Sequence, residues 1–155
     1  MDFSQLEQID YDLKIQPWNY ADVHRSLLVE TIARLPRRVQ ERVCNDGPVF
    51  LVVSDSAWSA STEFWPCPRG PYILLNFGGV KVNGRNRPRL QQAIAHEIAH
   101  FILKHWRVYS NPQGKLKSGR RMEAAADNLC ERWGFGRAYT EKQLATHQKK
   151  MGRKD

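Results

Sequence analysis

The chain has no run of about 18 apolar residues, so no membrane-spanning helix is expected. It also lacks a basic and then apolar leader: its first residues are acidic and polar, and no secretory signal is expected. Cysteine is scarce. Cys44, Cys67 and Cys130 are widely spaced and odd in number, which argues against a disulfide framework and for a reducing compartment, with a cytoplasmic location as the expectation. Cys67, in Trp65-Pro66-Cys67-Pro68, has no second cysteine nearby and reads as an inert loop residue. RNP-like aromatic motifs, zinc-finger Cys/His spacing and a recognition-helix pattern are all missing, so the common nucleic-acid modules are excluded.

What is present suits one domain. The 155 residues leave room for a single core, and 41% hydrophobic content is ordinary for a globular chain. The charge is large, at +8, and uneven. Residues 1–30 hold six acids (Asp2, Glu7, Asp10, Asp12, Asp22, Glu30) against Lys14 and Arg25, whereas residues 81–121 hold ten Lys and Arg against Glu97 alone. The basic stretches 81–89 and 115–121 read as loops. They could steer an acidic partner, bind nucleic acid, or be solvated or covered by the acidic N-terminus.

The pattern along the chain is mixed. Residues 1–17 read as a polar, acidic, loosely attached arm, 18–148 as one domain, and 149–155 as a basic disordered tail. Tyr20 to Leu35 has helical spacing at Val23, Leu27, Leu28, Ile32 and Leu35. Pro36 can open a second short helix as its first residue, carrying Val39 and Val43 and stopping at Asn45-Asp46-Gly47. Val49 to Val53 reads as a buried strand, 54–70 as a loop or ragged hairpin, and 71–77 as a second strand ended by Gly78-Gly79. Thr140 to Gln148 reads as a short helix. Strands and helices in this order give an α+β class.

His96-Glu97-Ile98-Ala99-His100 carries the chemistry. Two histidines four apart share one helix face and can close on one ion, and the glutamate beside the first can reach water on that ion. Neutral imidazole binds Zn²⁺ well, and a nearby carboxylate can take the proton of bound water. Leu90, Ile94, Ile98, Phe101 and Ile102 form an apolar stripe at helical spacing, so the helix should be buried. Ala93, Ala95 and Ala99 leave room for close packing.

A hydrolytic site needs a third protein ligand and one open position. The extended motif, with a glycine three and a histidine six residues after the second histidine, is excluded by Leu103 and Trp106. Continued helix would carry His105 about 500° beyond His100, pointing away from the pair. Residues 121–130 read as a second helix in which Glu123 and Asp127 stand four apart with alanines between them. Glu123 fits as third ligand and Asp127 as the acceptor that orients a ligand histidine. The reverse assignment, with Asp127 on the metal, and a plain solvated acidic pair both stay open.

His96-Glu97-Ile98-Ala99-His100 followed by Glu123-x-x-x-Asp127 resembles the gluzincin branch of zinc metallopeptidases. The H-E-I-A-H-F-I-L-K-H run ahead of an E-A-A-A-D helix looks most like small ImmA/IrrE-type bacterial or phage metallopeptidases, over roughly residues 48–135. A helix-turn-helix region, carried by some relatives of that type, is missing. The resemblance implies a minimal zincin-like fold, one catalytic Zn²⁺ on His96, His100 and Glu123, Asp127 behind a ligand histidine, and Glu97 as base. The implied reaction is hydrolysis of peptide bonds in a protein or peptide substrate by a Glu-activated, zinc-bound water. It also implies that the strand ahead of the zinc helix, Tyr72, Ile73, Leu74, Leu75 and Asn76, edges the cleft and pairs with an extended peptide. Tyr139 and His147, after the second motif, are candidate transition-state donors, with Tyr109 and Arg120 as others. The competing readings are a binding module with a structural metal and a nucleic-acid-associated protein acting through its basic loops, each with little or no proteolysis.

Overall fold

The computed structural model describes residues 3–18, 22–53, 61–65, 71–78, 80–105 and 115–137. For Phe3, residues 16–18, 61–65, 115–118 and Arg120 it describes the backbone alone. The basic tail at 149–155 and the short helix expected at 140–148 lie outside the described residues.

The sheet grows from two apolar strands. Strand β2 (Val49–Val53) and strand β4 (Tyr72–Asn76) alternate, so Phe50 and Val52 on one, and Ile73 and Leu75 on the other, are fully buried on a single face. The two strands run parallel, with Phe50 opposite Ile73 and Val52 opposite Leu75, which puts those four side chains side by side. Strand β1 (Ile15–Trp18) adds in parallel outside β2, and strand β3 (Ser61–Trp65) adds antiparallel outside β4. The order is β1-β2-β4-β3. Helices then cover the buried face, which makes a two-layer α+β domain.

This order corrects the expectation for Tyr72, Ile73, Leu74, Leu75 and Asn76. They form an inner strand, with ladders to β2 on one side and β3 on the other, and not an edge. Residues 61–65, within the stretch read as a loop or ragged hairpin, supply the antiparallel partner and are the outermost strand on that side among the described residues.

The N-terminal arm is also corrected. Helix α1 (Phe3–Asp12) packs against the two helices that follow β1, and β1 belongs to the sheet. Leu6, Ile9 and Leu13 stand three and four apart, and that short apolar stripe buries Ile9 and Leu13. Asp10 pairs with Arg25 at 2.5 Å, so part of the N-terminal acidity is spent within this layer.

Helix α2 (Asp22–Ala33) buries Leu27, Leu28, Val29 and Ile32, while Val23, expected on the same face, is exposed. Helix α3 (Arg37–Asn45) follows Pro36, which is its N-cap residue. It ends at Asn45, and Gly47 just beyond admits no side chain, since a Cβ there would sit 1.6 Å from the Val43 carbonyl oxygen.

Helix α4 (Arg87–Ile102) carries the H-E-x-x-H motif, and helix α5 (Lys115–Arg132) carries Glu123 and Asp127. Two basic loops therefore shrink. Residues 87–89 are the first turn of α4, and 115–121 open α5 as helix. The remaining loop is tied by Asn83 and Asn86, each side-chain oxygen accepting the other's backbone N–H at 3.0 Å and 2.9 Å. Glu30 pairs with Arg87, and Arg34 donates to Gln91, which fixes α4 on α2.

Helix α4 serves two packing zones. Ile94, Ile98 and Phe101 enter the main core with Phe50, Ile73 and Leu75, each such side chain contributing about 1.5–3 kcal/mol on burial. Ala95 and Ala99 meet Ala126 and Cys130 of α5 in a separate cluster of small residues. Small side chains on both helices let the two backbones approach, which brings the polar residues beside them together. Among the described residues, no helix is long and apolar enough to cross a membrane.

Candidate metal centre

Three side chains converge where α4 faces α5. His96 Nε2 lies 3.0 Å from Glu123 Oε2, His100 Nε2 lies 3.1 Å from His96 Nε2, and His100 Nε2 lies 3.5 Å from Glu123 Oε1. Both histidines are buried and Glu123 is half-buried. Two ring nitrogens face each other at 3.1 Å, and neutral imidazoles cannot both donate there. One ring can donate to the other, or a cation can take the lone pairs of both. A tetrahedral ion with bonds of about 2.0–2.1 Å spaces its ligand atoms about 3.3–3.4 Å apart, which matches the observed triangle. His96, His100 and Glu123 thus form a group that can hold a metal ion.

The residues behind this triangle are placed by both helices. Asp127, one turn after Glu123, is buried, and its Oδ1 lies 3.0 Å from His96 Nδ1. The pair is close, but its angle falls outside hydrogen-bond geometry, so His96 Nδ1 is a buried atom without an aligned acceptor. Asp127 therefore stands on the Nδ1 side of His96, and Glu123 on the Nε2 side that faces His100. Of the two carboxylates, Glu123 is the one that joins the triangle. Glu97 is 8% exposed on α4, next to His96.

The charges are strongly coupled. Burial alone would lower the pKa of His96, but the Cys130 side chain, the Glu123 hydrogen bond and the charges of Glu97 and Glu123 outweigh it and raise the pKa to about 10. Burial would raise Glu123, yet hydrogen bonds from His100 and His96, and their charge, hold it well below the usual carboxylate range. Burial pushes the Cys130 thiol up. In the absence of a cation, the site therefore keeps a proton on His96 to balance its carboxylates.

His105 was expected to point away, and it does not. It is buried, and its Nδ1 lies 2.7 Å from Nδ1 of His100. Helix α4 ends at Ile102, and Lys104 takes a left-handed conformation (φ 58°) that turns the chain back. The His105 N–H then bonds the His100 carbonyl at 3.1 Å, and the Lys104 N–H bonds the Phe101 carbonyl at 3.0 Å. This is a Schellman end, and it seats the ring behind His100. Burial, with the charge of His100 beside it, lowers the pKa of His105 to about 4, so this ring is neutral. Cys130 is the other contributor that spacing did not reveal; its fully buried thiol helps hold the His96 proton.

Tyr109, Tyr139 and His147 lie outside the described residues, as does the Arg120 side chain. The hollows at the α1–α2 and α1–α3 junctions, lined by residues such as Glu7 and Arg25 or Gln8 and Gln40, are separate from this cluster. No protein-family profile matches the chain, and comparison with characterised proteins and with solved structures gave no match.

Proposed function

We propose that the chain is a zinc-dependent endopeptidase of gluzincin type, with a minimal zincin-like fold, that hydrolyses peptide bonds in a protein substrate. One observation carries the reading: the H-E-x-x-H histidines on α4 meet a carboxylate from α5 at ligand-to-ligand spacing. Two imidazoles and one carboxylate are a donor set suited to zinc, and three protein ligands leave one position open. Zinc held there supplies a Lewis acid that polarises a scissile carbonyl and acidifies water.

The chain's own residues do the rest. Glu97 is 8% exposed, and its charge helps raise the pKa of His96, which places it near the cluster. There it takes a proton from the attacking water and returns it to the departing amine nitrogen. Asp127, against His96 Nδ1, favours the ring orientation that presents Nε2 to the metal. An extended peptide has a natural partner in β3, the sheet edge against which α4 packs.

Glu97→Gln tests the reading. Zinc should stay bound at wild-type stoichiometry while hydrolysis of a peptide library falls by about 10²–10⁴-fold. Retained hydrolysis would exclude Glu97 as the base, and purified wild-type chain that takes up no zinc would remove the metal reading itself.

A further inference from the structure

We propose that His105 is a positioning residue, accepting a hydrogen bond from His100 Nδ1–H so that His100 keeps its Nε2 lone pair toward the metal. The inference rests on the zinc reading above and adds a residue that the motif does not contain. The geometry is specific. Two Nδ1 atoms 2.7 Å apart share one proton, so one ring donates and the other accepts. His100 Nε2 faces His96 Nε2 at 3.1 Å and Glu123 Oε1 at 3.5 Å, so that nitrogen is the metal-facing one. A neutral imidazole that ligates through Nε2 carries its proton on Nδ1. His100 is therefore the donor, His105 Nδ1 the acceptor, and the His105 proton sits on Nε2.

The placement is built in. The left-handed turn at Lys104 and the bond from the His105 N–H to the His100 carbonyl fix the second ring from the backbone as well. A non-glycine residue held at positive φ is strained, and it persists only where surrounding structure fixes it. The two ligand histidines thus have different supports: a carboxylate, Asp127, stands behind His96, and a second imidazole behind His100.

The test measures zinc affinity of the full chain by chelator competition for wild type, His105→Phe and His105→Asn, together with imidazole ¹⁵N NMR of the zinc-loaded wild type. The Phe variant should bind zinc about 10–100-fold more weakly. Asn, whose side-chain oxygen can accept the same proton, should recover most of that loss. The spectra should show His100 protonated at Nδ1 and His105 at Nε2. Unchanged affinity in the Phe variant, no recovery in the Asn variant, or a proton on His105 Nδ1 would overturn the proposal while leaving the zinc site standing. Wild type that binds no zinc would overturn both. If His105→Phe fails to fold, the wild-type spectra decide alone.

Discussion

Helices α4 and α5 end in the same turn and use it differently. At the end of α5, Gly134 takes the left-handed position (φ 82°), its N–H bonds the Glu131 carbonyl, and the Phe135 N–H bonds the Cys130 carbonyl at 3.0 Å. At the end of α4 the same pair of bonds forms around Lys104 and His105. The residue after each left-handed position packs inward. Phe135 lies under the Arg34 guanidinium, 4.3 Å from ring centre to Cζ, whereas His105 packs against His100. The α5 end is thus a structural stop with the residue that suits it. The α4 end tolerates a torsion that costs most residues about 1–2 kcal/mol, and its product is an imidazole in the site. Strain is kept where it places a functional group, and avoided where it would only end a helix.

The contrast extends to charge, and this gives the largest expected effect. His96, facing α5, keeps its proton up to a pKa of about 10, while His105 at the α4 end is neutral above about 4. A metal must displace the His96 proton, so zinc affinity should rise with pH. Between about pH 7 and 9 the expected slope is about tenfold per pH unit, one proton released, read by chelator competition. A slope of two would mean that a second group releases a proton when the metal binds.

The two turns themselves give smaller effects. A Cβ at Gly134 would meet nothing within 4 Å, so Gly134→Ala isolates the torsional cost. It should lower stability by about 1 kcal/mol, seen as a fall in Tm of about 2–4 °C, with zinc affinity unchanged. Lys104→Gly is the reverse change. Relief of the positive φ is partly offset by the freedom glycine adds to the unfolded chain, so a gain of under about 1 kcal/mol is expected. A loss of stability in Lys104→Gly would show that the lysine side chain contributes more than its backbone torsion costs, and would end the comparison.

Legibility in the sequence followed the range of the interaction. The α4 stripe and the apolar runs of β2 and β4 are local patterns, and each could be read from a few neighbouring residues. The role of the 61–65 segment could not, because a strand becomes an edge or an inner strand only when its partners are chosen. The same holds for α1 and β1. An acidic, polar stretch with scattered apolar residues has little local preference, and it is ordered by the free side of β2 and by the surface of α2 and α3.

The sequence by itself determined which side chains could share a helix face: His96 with His100, and Glu123 with Asp127, because helical spacing is a property of the chain alone. The tertiary structure decided which of the two carboxylates meets the histidines and which stands behind them, since that depends on how closely Ala95 and Ala99 let α4 approach Ala126 and Cys130. It also decided the place of His105. No periodicity carries that information, because one left-handed residue resets the direction of the chain.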